Sequence, residues 1–130
     1  MSVEFKNIVI GCAYSRQTLA ELWGYASAKA LQRGVVTPRN NNKIILFVTE
    51  EKSCSATPYY DRLSGNLLEW DGPNDHFAEQ RMIDADQNGD EVHLFYRKTS
   101  REYFTYCGLV KTLEFDRYTD RPSRFLFRLF

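Results

Sequence analysis

Apolar and polar positions change period along the chain, and each change marks an element. Residues 5–10 alternate loosely before Gly11, which reads as a short strand or extended entry segment. Leu19, Leu22 and Trp23 then recur at helical spacing behind Ser15, a residue type that caps helix N-termini. Gly24 interrupts that pattern, and Ala26, Ala28, Ala30 and Leu31 either continue it or form a second helix ending at Gly34. Thr37-Pro38-Arg39 and three consecutive Asn residues form a turn. The run 43–49, Lys-Ile-Ile-Leu-Phe-Val-Thr, is almost continuously apolar and β-branched, the pattern of a strand buried on both faces.

Beyond it, residues 50–58 are polar and loop-like, and Ser64-Gly65-Asn66 turns the chain into a short strand over 67–70 that ends at Asp71-Gly72-Pro73-Asn74. Residues 76–85 are expected to be helical, capped by Asp75, with Gly89 beyond the end. Strands are expected over 91–97 and 103–110, joined into a hairpin by 98–102. Residues 115–122 read as a charged loop, and alternation over 125–130 gives a last strand. Two or three helices among five or six strands, the later ones hairpin-linked, predict an α+β fold with a curved, largely antiparallel sheet. At 130 residues this is one domain, residues 1–130.

Formal charge sums to zero but is unevenly placed: residues 1–49 carry six Lys/Arg and two Asp/Glu, 50–91 three and eleven, 92–130 eight and four. Basic ends around an acidic middle permit a local nucleic-acid-binding face, although a neutral chain predicts weak, salt-sensitive nonspecific affinity. No leader-like N-terminus and no run of eighteen apolar residues is present, so a cytoplasmic protein without a membrane segment is expected. Cys12, Cys54 and Cys107 are odd in number and widely spaced, which argues against disulfides and structural zinc.

Catalytic signatures are incomplete. Residues 84–90 imitate the start of an EF-hand loop, but the closing bidentate Glu is replaced by Phe95. His76 and His93 lie outside any HExxH or nucleophile-elbow context, and the glycines never gather into a phosphate-binding loop. No cofactor, metal or catalytic residue is expected. The aromatic residues carry more information. Tyr59, Tyr60 and Trp70 beside Asp61 are the parts of a pocket that stacks a flat ring and reads an exocyclic amine through a carboxylate. Exposed Trp70 and Tyr59 on a protein–protein interface are the alternative, as part of an interaction or regulatory subunit.

At Tyr60-Asp61, Trp70, Val92-His93-Leu94-Phe95-Tyr96-Arg97 and Tyr103-Phe104-Thr105-Tyr106-Cys107-Gly108, preceded by Gly11-Cys12-Ala13-Tyr14-Ser15-Arg16, the chain resembles a known family. This is the small domain at the C-terminus of bacterial helicase-nuclease proteins, modification-dependent (type IV) restriction enzymes among them, and in front of some HNH nucleases. The resemblance implies a fold similar to SRA and PUA-like modified-base readers, a β-barrel-like curved sheet with flanking helices. It also implies non-enzymatic DNA recognition in restriction or antiviral defence, with a helicase or nuclease as partner. Recruiting that partner, regulating it, or being a piece of a longer protein are all compatible with it. On this expectation Tyr59, Tyr60, Asp61 and Trp70 form the base pocket, and Arg16, Arg39, Lys98, Arg101, Arg124 and Arg128 contact the backbone phosphates.

Overall fold

The computed structural model describes residues 3–50 and 61–130. In chain order the elements are β1 (Ala13–Tyr14), α1 (Arg16–Trp23), a 3₁₀ turn (Ala28–Leu31), β2 (Val35–Val36), β3 (Lys43–Thr49), β4 (Arg62–Ser64), β5 (Leu67–Asp71), α2 (Glu79–Ile83), α3 (Ala85–Asn88), β6 (Glu91–Arg97), β7 (Phe104–Asp116) and β8 (Arg124–Leu129). The fold is α+β. Its strands form one mixed sheet in the order β2-β3-β6-β7-β8-β5-β4, with β1 added on β7. Only β3 and β6 run parallel; the remaining pairs are antiparallel.

The apolar run 43–49 is buried on both sides because alternate residues feed two cores. Ile44, Leu46 and Val48 join Leu68, Trp70, Met82, Leu94, Phe125 and Phe127 on the face covered by α2 and α3. Ile45 and Phe47 join Leu19, Trp23, Leu31, Phe95, Phe104 and Tyr106 on the face covered by α1 and the N-terminal segment. α1 forms where expected: Ser15 Oγ accepts from Thr18 N, and Gly24 at φ 79° closes the last turn. Gly24 therefore ends the helix, and the alanines beyond it make the separate 3₁₀ turn.

A bulge shapes the β6–β7 hairpin. Leu94 faces Gly108 while Phe95 faces Tyr106, which leaves Cys107 as the extra residue. Gly108 sits at φ 91°, and a Cβ there would lie 2.9 Å from Ile10 Cδ1. The positive φ is what calls for glycine here, since the exposed Ile10 side chain can move.

Several expectations are corrected. Residues 5–10 form turns instead of a strand, with Ile8 N donating to Phe5 O and Cys12 N to Val9 O. Phe5 and Ile8 cover the α1-side core, Phe5 packing against Trp23 and stacking on His93. The single helix expected over 76–85 is two short ones starting later, at Glu79 and Ala85. Positive φ at His76 and Ala78 blocks an earlier start, and Asp75 Oδ1 caps only the turn, accepting from Phe77 N. β7 runs on to Asp116, through the start of the expected loop 115–122, because its second half pairs with β8. β2 and β4, two and three residues long, lay below what a periodic pattern reveals. The sheet is not closed into a barrel: β2 and β4 stand at opposite ends of the strand path. No described helix is long and apolar enough to cross a membrane.

Candidate functional site

The β4–β5 hairpin brings Asp61 and Trp70 together. Arg62 pairs with Glu69, and Asp61 and Trp70 are the residues next outward at the open end of the hairpin. Both line a cleft of about 270 Å³ together with Gly34, Val35, Phe47 and the Asp71-Gly72-Pro73-Asn74 turn. Asp61 is buried, and its Oδ1 accepts from Asp71 N at 2.9 Å, which fixes the carboxylate against the turn. Trp70 is 4% exposed, packed at ring-centroid distances of 5.6 Å from Phe125 and 5.8 Å from Phe127. It thus belongs to the core as well as to the cleft wall. Asp71 points its carboxylate to Arg124 Nη1 at 2.8 Å. Tyr59 and Tyr60 lie outside the described residues.

A second cleft, of about 230 Å³, lies at the same end of β3 and is lined by Ser15, Arg16, Arg97, Ser100, Arg101, Glu102, Tyr103 and Phe104. Three strings singled out in the sequence meet here, because β1 pairs with β7 at Tyr14–Phe104 and β6 pairs with β7 beside it. The guanidinium carbons of Arg16 and Arg97 lie 4.8 and 4.1 Å from the centroid of the Phe104 ring. Arg16 also stands 4.9 Å from the ring of Phe47, a residue that lines the first cleft. Arg16 Nε donates to Leu31 O, and Arg97 Nε to Thr49 Oγ1. Burial, and then the neighbouring Arg97 charge, bring Arg16 down to about 10, still fully cationic at neutral pH. Burial lowers Arg97 too, opposed by Glu102.

Of the expected phosphate contacts, Arg16 and Arg101 line this second cleft, and Lys98 belongs to the same β6–β7 link. Arg39 is exposed in the turn before β3, roughly 20 Å away at the opposite end of that strand. Arg124 and Arg128 share a face of β8, but Arg124 is engaged with Asp71 and approaches Glu69 at 4.0 Å. The six residues therefore do not form one patch. Arg97 was not among them, although it ends one of the quoted strings; its β-strand position gave no hint that it would face Arg16.

Two further polar clusters escape sequence reading. His93, 3% exposed, is held between Tyr106 Oη at 2.6 Å on Nδ1 and Glu91 Oε1 at 3.0 Å on Nε2, with Lys43 3.2 Å from the same carboxylate and Phe5 stacked on the ring at 3.6 Å. Burial pushes the imidazole below its ordinary value, with Glu91 opposing, and pushes the Tyr106 hydroxyl up to about 12. His76, Glu79 and Ser123 meet beneath the start of α2: Ser123 Oγ donates to Glu79 Oε1 at 2.9 Å, and Glu79 Oε2 lies 2.7 Å from His76 Nδ1. Acyl-transfer relays place serine and carboxylate on opposite ring nitrogens. Here both approach Nδ1, and Ser123 is 0% exposed, so the cluster is a structural tie between α2 and the β8 entry.

Among the described residues no three His, Cys, Asp or Glu side chains gather into a metal-holding group. No protein-family model and no curated protein matches the chain.

Proposed function

We propose that this domain recognises DNA by holding a base in the Asp61–Trp70 cleft while the neighbouring arginines engage phosphate, in the manner of SRA and PUA-like readers serving a restriction or defence nuclease. The observation that carries the reading is the shared cleft: a carboxylate and an indole line it together, and one of its walls, Phe47, touches Arg16 of the arginine-lined groove. A carboxylate accepts from the exocyclic amine of cytosine or adenine, and phosphate contacts supply affinity without sequence information. The cleft, at about 270 Å³, lies just below the roughly 300–1,000 Å³ of drug-sized pockets, which suits a single ring.

Gel-shift titration of modified and unmodified duplexes at several salt concentrations tests it. Asp61→Asn should abolish the preference between duplexes and keep the salt slope, whereas Arg101→Ala should weaken all duplexes alike and flatten the slope. Equal losses for both variants, or binding independent of salt, would refute the reading. The protein-interaction alternative has one observation in its favour: Ile10 lies over Gly108, and the adjacent Leu109 and Phe130, joined by Phe130 N to Leu109 O, are also exposed apolar residues. A salt-independent duplex response would favour it.

A further inference from the structure

We propose that Arg16 and Arg97 together form a clamp for a single phosphate group, at a position distinct from the base cleft. The proposal deepens the DNA reading by naming the group recognised, and rests on that reading only for what carries the phosphate. Two like charges have been brought against one aromatic ring, Phe104, and each is partly withdrawn from water. Among the described residues neither has a carboxylate within salt-bridge distance, unlike Arg33, Arg81, Arg117 and Arg124. Buried or half-buried charges are ordinarily paired, so an unneutralised pair is a site shaped for an anion.

The hydrogen bonds agree. Arg16 spends only Nε on the protein, and Arg97 spends Nε and Nη1, the latter on Ser100 O and Glu102 O at 3.3 Å. Both Nη atoms of Arg16 and Nη2 of Arg97 have no partner among the described residues. Planar forks with their inner nitrogens anchored and outer nitrogens open suit the tetrahedral oxygens of phosphate. α1 begins at the same cleft with Ser15 as its cap and no acidic residue in its first turn, so the positive end of the helix adds to the field. Ser100, Arg101, Glu102 and Tyr103 complete the lining; Glu102 Oε2 is held by Thr99 N and Oγ1, and Tyr103, 66% exposed, gives a sugar or base beside the phosphate a surface to rest on.

The test begins on the unaltered protein. Because both Nε–H groups are hydrogen-bonded to protein oxygens, their ¹H–¹⁵N cross-peaks should be visible in solution, and inorganic phosphate should shift both saturably where sodium chloride at matched ionic strength does not. Equal, unsaturating shifts in the two salts would overturn the clamp. A deoxythymidine 5′-monophosphate arm and an arm with a short oligonucleotide lacking terminal phosphate identify the carrier as monoester or diester; failure of both to compete with inorganic phosphate would also overturn it. Arg97→Gln should weaken the tighter probe by at least about tenfold, as expected for loss of a charge-assisted contact. Unchanged affinity in that variant would refute the assignment, and should it not fold, the titration of the unaltered chain decides alone. Asp61→Asn should leave the phosphate titration as it was. Loss of base preference in that variant with an intact phosphate response separates the two sites.

Discussion

Trp70 stands at the boundary between packing and the proposed recognition cleft, and its replacement separates the two. Its ring is 4% exposed and packs against Phe125 and Phe127 at 5.6 and 5.8 Å. Truncating such a ring to alanine costs about 3–5 kcal/mol, part of it the roughly 0.5–1.5 kcal/mol of each aromatic pair. Set against the roughly 5–15 kcal/mol that holds a domain together, Trp70→Ala should leave the protein marginal or unfolded. Trp70→Phe keeps a ring between the same neighbours and loses no hydrogen bond from the indole N–H to a described residue, so on area grounds the cost falls to on the order of 1–2 kcal/mol. Urea denaturation followed by the fluorescence of Trp23 measures both, because Trp23 is buried in the other core with its own bond to Glu4 O. The folded Trp70→Phe protein is then titrated with preferred and non-preferred duplexes. A Trp70→Ala loss below about 1 kcal/mol would refute the core assignment. An unchanged duplex preference in Trp70→Phe would remove the indole from the recognition surface and leave it as filling alone.

Other consequences follow from the clusters. Since burial holds His93 below 6.5, the unfolded chain binds its proton more readily; stability should be complete above pH 6.5 and fall as the pH drops below it, and His93→Gln should flatten that slope in urea titrations between about pH 7.5 and 5. Gly108→Ala should cost about 1–3 kcal/mol through its φ of 91°, and because exposed Ile10 can move aside, adding Ile10→Ala should not restore the thermal midpoint. Arg124→Ala uncouples β8 from Asp71 and should lower stability by about 1 kcal/mol in denaturant titrations, while changing phosphate affinity less than Arg97→Gln does. A double-mutant cycle of Arg16→Gln and Arg97→Gln should give a repulsive coupling of about 0.5–1 kcal/mol that shrinks at high salt; an attractive or salt-independent coupling would contradict the unpaired arrangement.

How far the sequence predicts this molecule depends on how local each determinant is. β3 was legible because seven residues carry its pattern, and the β6–β7 hairpin because two β-rich runs flank a short polar link. β2 and β4 carry two and three residues, too few for any period, and exist because a longer neighbour supplies their hydrogen bonds. The end of β7 at Phe115 and Asp116 reads as the start of a charged loop, and only its pairing with β8 reveals it as strand. The helix start at Glu79 was hidden by left-handed backbone at His76 and Ala78, held by the buried Glu79–Ser123 contact from a distant segment. That Asp61 and Trp70 lie near each other could be anticipated from the Ser64-Gly65-Asn66 turn, which sets the hairpin register. Arg16 and Arg97 meet only through β1–β7 and β6–β7 pairing, and nothing local in either string signals it.

The charge arrangement also bears on why the proposed base cleft and phosphate clamp are separate. A carboxylate that reads an amine also repels the phosphates flanking the base, and at the partly dehydrated mouth of a cleft that repulsion is stronger than in bulk water. Two features of the structure reduce it. Asp71, the second carboxylate at the cleft, is neutralised by Arg124 at 2.8 Å, so less negative charge meets an incoming strand than two acids would present. Arg16 and Arg97 line the second cleft and not the first, with Arg16 reaching the first only through its contact with the Phe47 ring. On the proposed reading, this arrangement sets the acid against the base and the cations against the phosphate of the same nucleotide.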